Sequence, residues 1–164
     1  MGTGEGPPRL EAREARNFET LDEFRAAVGQ CLGTSSWHHI SQSIINGFAA
    51  ATDDDERIHL DPLVAAATPL GTTVAHGLYT LSLGPKFLHE VYSVRGYSLA
   101  LNYGFDKVRF LAPVPEGSRV RMHAELTAVS PLRGGSRFSI LQTFEVDGFS
   151  EPVCVAEGIV AYFD

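Results

Sequence analysis

From Tyr97 to the C-terminus the chain is written almost entirely in strand-like alternation, and no other feature restricts its fold as much. The segments SLALNYGF, KVRFLAP, SRVRMHAELTAVS, SRFSILQTFEVD and PVCVAEGIVAYF are punctuated by PVPEG, PLRGG and DGFSEP. Short turns of this kind return a strand antiparallel to its neighbour, so the C-terminal half predicts an antiparallel sheet.

Such a sheet needs something to cover its apolar face. TTVAHGLYTLSLGPKFLHEV supplies Leu78, Leu81, Leu83, Phe87, Leu88 and Val91, enough for a largely buried helix that Pro85 either kinks or breaks. Upstream, TLDEFRAAVG reads as a short helix with Thr20 as cap, Glu23 three residues on and Gly29 at its end. ISQSIINGFAAAT repeats Ile40, Ile44, Phe48 and Ala51 at helical spacing, with Ser41 or Gln42 facing outward and an end near Asp53; LVAAAT reads as a further short helix. Helices first and strands afterwards define an α+β domain, rather than alternating βαβ units.

Its 164 residues, 44% apolar, suit one core. The Gly- and Pro-rich opening makes residues 1–17 a flexible N-terminal leader and residues 18–164 the folded domain. A net charge of −7 argues against a basic footprint for nucleic acid or an anionic membrane. No apolar run is long enough to span a bilayer and Met1 to Leu10 lacks the apolar core of a secretory signal, so a cytoplasmic protein is expected. Cys31 and Cys154 stand far apart and outside any ligand cluster, which reads as two buried free thiols; no metal site is expected.

The chemistry concentrates in DDDERIHLDP, where Asp54 and His59 stand five residues apart. A carboxylate and an imidazole held near one water can activate it as a nucleophile and return a proton elsewhere. The same residues also fit a solvated loop with a surface histidine. His76 and Gly77 precede the most apolar helical segment, where backbone N–H groups are free and a glycine allows a carbonyl oxygen to approach closely. Gly77 fits equally a simple turn or a close helix–sheet approach. His38 and His39 are adjacent and His123 lies on an expected strand; none of them forms a metal cluster. Arg119 and Arg121 alternate on one strand face, where they meet either solvent or the phosphates of a bound nucleotide.

Together, SSWHHISQSIINGFAAATDDDERIHLDP, GTTVAHGLYTLSL and LNYGFDKVRFLAPVPEGSRVR resemble the MaoC-like dehydratases, in the branch named after nodulation protein N, which is similar to the (R)-specific enoyl-CoA hydratases. The resemblance runs from about Phe18 to the C-terminus. It implies a hot-dog fold, a curved antiparallel sheet wrapped around one long central helix beginning near Gly77. It also implies a homodimer joined edge to edge, with substrate entering near the subunit interface. By the same resemblance Asp54 and His59 are the catalytic dyad and the Gly77 N–H binds the thioester oxygen. Glu56, His76, Asn102 and Tyr103 are implied as supporting residues, and Arg109 belongs to the matching VRF segment.

The activity implied is hydration of a trans-2-enoyl thioester to the (R)-3-hydroxyacyl thioester, or its reversal, with coenzyme A present only as part of the substrate and no separate cofactor. Two alternatives stay open: a dehydratase of carrier-protein-bound acyl chains, and a non-catalytic acyl-thioester-binding protein. The sequence departs from the pattern at Glu56, where an amide is expected, and at Asp53 and Arg57, which replace a glycine and a large aromatic.

Overall fold

The computed structural model describes residues 15–163. The elements are β1 (Arg16–Phe18), α1 (Leu21–Ala26), β2 (Gln30–Thr34), β3 (His38–His39), α2 (Gln42–Thr52), α3 (Arg57–Leu60), α4 (Pro62–Ala66), β4 (Val74–Ala75), α5 (Gly77–Ser82), α6 (Gly84–Val91), β5 (Tyr92–Val94), β6 (Leu99–Phe110), β7 (Val114–Pro115), β8 (Arg119–Leu132), β9 (Gly135–Val146) and β10 (Cys154–Phe163). Most of the expected leader lies outside the described residues. Its end does not behave as a leader, because Arg16 and Asn17 pair in parallel with Tyr92 and Ser93.

The main sheet has the order β2-β8-β9-β10-β6, antiparallel throughout, with β3 also pairing β8. Alternation sets which face is buried: on β9, Ser136, Phe138, Ile140, Gln142, Phe144 and Val146 point inward. SLALNYGF and KVRFLAP are not two strands but parts of one, β6, paired with β10 from end to end through two register shifts. Those shifts, beside Gly158 and Gly104, absorb the break in alternation that made the sequence read as two segments.

The curved sheet wraps a central helix, the hot-dog arrangement, and the helix is in two pieces. Leu83 N–H donates to Thr80 O, and Pro85 then sits in the first turn of α6, where a missing donor costs nothing. Beneath the helices the fully buried Phe24 of α1 stacks on Tyr92 and Phe138, with ring centroids 5.0 and 4.7 Å apart. Thr20 caps α1 as expected, its Oγ1 accepting from Glu23 N–H. Both cysteines are free, but only Cys154 is buried; Cys31 lies exposed on β2. Among the described residues no helix is long and apolar enough to cross a membrane.

Candidate active site

Three charges of the DDDERIHLDP segment, Glu56, Arg57 and Asp61, serve local structure. Asp53 ends α2 with φ of 56°, the left-handed conformation that favours glycine. Glu56 caps α3 through its own Arg57 N–H, and Asp61 caps α4 by accepting from Leu63 and Val64 while Arg57 pairs with it at 2.7 Å. The Arg57 bond, together with these backbone donors, holds the Asp61 carboxyl below its usual range. Asp54 takes a different direction. Its half-exposed carboxylate lies 4.0 Å from His76 Nε2.

His59 and His76 stack with ring centroids 3.8 Å apart and planes 29° from parallel. Each is anchored to a backbone carbonyl, which can only accept. His59 Nδ1 donates to Val74 O at 2.7 Å, so in the neutral ring Nε2 is left as the acceptor. His76 Nε2 donates to Asp54 O at 3.0 Å, and its Nδ1 is buried without a partner. One side chain the sequence reading turned outward proves central: Gln42 donates to His59 O at 2.8 Å and accepts from Thr73 Oγ1 at 2.6 Å. It thereby ties the histidine's short helix to α2 and to the segment entering β4.

His59 and Gly77 line a cavity of about 370 Å³ together with Thr80, Phe110, Val153 and Cys154. Gly77 opens α5, so its N–H belongs to the first turn and has no intrahelical partner. Glycine there also makes room in a way not visible in the sequence: a Cβ would come within 3.1 Å of the Phe110 ring, which would have to give by a few tenths of an ångström. Thr80 Oγ1 is buried without a partner in the same cavity wall. Burial pushes the Cys154 thiol up to about 11, which keeps it protonated beside the cavity at neutral pH.

The remaining candidates are not drawn to this point. Glu56 touches only its own helix, Tyr103 is 49% exposed on β6, and Asn102 lines a different cavity. Arg109 donates to the neighbouring Val108 O. Arg119 and Arg121 are paired with Asp147 and Glu145 and lie over Trp37, so neither is an unpaired phosphate ligand. His123 bonds Thr34 and Glu145, and His38 bonds Tyr79. Asp54, His59 and His76 bring potential metal-ligating atoms within 4.8 Å of one another. The face-to-face stacking of the two rings sends their in-plane lone pairs side by side rather than toward one point, a poor geometry for a shared ion.

A curved sheet around a broken central helix, with a carboxylate, an imidazole and a helix-opening glycine gathered beside it, defines a hot-dog protein. Residues 23–141 match the MaoC like domain, and the chain belongs to the MaoC-like dehydratase family. It is 49% identical over 148 residues to 3-hydroxyacyl-thioester dehydratase Z of Mycobacterium tuberculosis, covering 90% of this chain and 98% of that one. Nodulation protein N of Rhizobium meliloti is 38% identical over 156 residues, covering 88% and 92%. Among solved structures, an R-hydratase of Pseudomonas aeruginosa superposes with a TM-score of 0.65 at 22% identity, over 84% of this chain and 82% of its own, a likeness of fold.

Proposed function

We propose that this protein interconverts trans-2-enoyl and (R)-3-hydroxyacyl thioesters, with Asp54 and His59 as the catalytic dyad and the Gly77 N–H as the oxyanion donor. That the chain is a hydro-lyase of acyl thioesters follows from its family and from its near-complete alignment with a 3-hydroxyacyl-thioester dehydratase. The observation that carries the residue assignment is the His59 tautomer. Fixed by Val74 O, it leaves Nε2 as the acceptor of an imidazole that lines the same cavity as Gly77.

In hydration, a water held between the Asp54 carboxylate and His59 Nε2 attacks C3 while His59 takes its proton. The electron pair moves to the thioester oxygen, stabilised by the Gly77 N–H. His59, its positive charge balanced by Asp54, then gives the proton to C2 on the same face and is neutral again. Dehydration retraces these steps. No metal or separate cofactor enters, and coenzyme A or an acyl-carrier thioester serves only as the handle of the substrate. Among the described residues the outer edge of β6 has no pairing strand, and Leu99, Leu101, Tyr103, Phe105 and Phe110 are exposed along it, which supports a homodimer joined at that edge.

The test follows loss of the conjugated thioester absorbance with trans-2-butenoyl-CoA and trans-2-octenoyl-CoA. Asp54→Asn and His59→Gln are each expected to lower kcat/KM by about 10³-fold or more, with melting temperature little changed. Wild-type turnover that survives both substitutions would remove the dyad from the mechanism.

A further inference from the structure

On the inner face of β9, Phe138, Ile140, Phe144 and Val146 are the expected apolar residues, and Gln142 interrupts them. It is 3% exposed, and its Oε1 is buried with no hydrogen-bond partner. Leaving a buried amide unpaired is costly, and a hydrocarbon side chain of similar shape would remove that cost. The surroundings instead make room for the amide. A Cβ on Gly84, at the start of α6, would meet Oε1 at 2.6 Å, and a Cβ on Gly158 of β10 would collide with Nε2.

Gln142 also forms part of the wall of a second cavity, about 350 Å³, between α6 and β6, whose neighbouring walls include Leu88, Leu101, Phe105 and Val160. The first cavity lies against α5 through Gly77 and Thr80 and the second against α6 through Pro85 and Leu88, so an acyl chain reaching from one to the other would follow the broken helix from Gly77 to Gly84. At 1.5 Å per residue that path is about 10 Å, comparable to an eight-carbon acyl chain.

We propose that Gln142 is a specificity-determining residue that hydrogen-bonds an oxygen-bearing group, a hydroxyl or keto function, near the far end of a medium-length acyl chain. The inference rests on the acyl-thioester reading above and adds the substrate class. A plain hydrocarbon tail leaves the amide oxygen unpaired, whereas a distal hydroxyl satisfies it, and a site built around a hydrogen bond discriminates against the analogue that lacks it.

Two measurements separate this proposal from the reading beneath it. Binding is measured for the unreactive octanoyl-CoA and 8-hydroxyoctanoyl-CoA, and turnover for the corresponding trans-2-enoyl esters, with wild type, Gln142→Met and Gln142→Leu. Wild type is expected to favour the hydroxylated member of each pair by about tenfold, and both variants to bring the two members within about twofold of each other. Equal wild-type affinities for the two saturated esters, or a preference that persists in the variants, would overturn the proposal without help from the variants' folding. If the enoyl esters are not turned over but the binding preference is present and lost on substitution, the hydratase reading fails and Gln142 keeps its role.

Discussion

The segment Asp53–Leu60 and the sheet formed by β8, β9 and β10 are built on opposite principles. The sheet pairs Val120–Leu132 with Gly135–Val146 almost without interruption and buries every second side chain of β9, so its geometry is fixed many times over. The polar segment has few buried side chains and is held by a handful of single contacts: one left-handed residue, two caps, and the bonds that Val74 O and Gln42 make to His59. Stability is lodged in the first region and the proposed chemistry in the second, so each is expected to be damaged with limited harm to the other.

The largest separation of the two is expected from the core. Phe24→Ala removes a fully buried ring stacked on Tyr92 and Phe138 and should cost about 3–5 kcal/mol in urea unfolding, while kcat/KM of the fraction that remains folded stays close to wild type. A comparable loss of turnover would show that the core and the site are not separable. Gln42→Ala is intermediate. It frees the backbone of His59 and leaves Thr73 without its acceptor, so about tenfold in kcat/KM and about 1–2 kcal/mol of stability should go together; an effect on stability alone would make Gln42 a fastener with no hold on the imidazole. Asp53→Gly is the smallest. Glycine adopts the observed φ without strain, and a gain of about 0.5 kcal/mol with unchanged KM is expected; a loss would mean that the carboxylate does more than occupy the turn.

The contrast between the regions also decided what could be read in advance. β8, β9 and β10 are long enough for alternation to show, and they were legible along with the cap of α1 and the end of α2 at Asp53. β1, β3, β4 and β5 have two or three residues each, too few for any period, and exist because neighbouring backbone is there to pair with. At the site, Asp54, His59 and Gly77 stand out because their residue types carry chemistry in a recognisable spacing. Gln42, Thr80, Phe110 and Gln142 do not, since an amide on a helix, a threonine among apolar neighbours or an inward glutamine on a strand acquires meaning only from what the fold sets against it. The resemblance to a family also led to Glu56 and Tyr103; in this chain the first caps its own helix and the second lies exposed on β6, and matching positions alone do not fix where a side chain points.

Gln142, wedged between Gly84 and Gly158, has a bearing on how such a pocket can change over generations. Alanine at either glycine forces the end of the amide side chain to shift, and shortening the amide first would open a void with nothing to fill it. The three positions, from a helix and two neighbouring strands, are therefore coupled, and a lineage that exchanges the amide for a shorter hydrocarbon is released to fill the glycines and narrow the passage beside them.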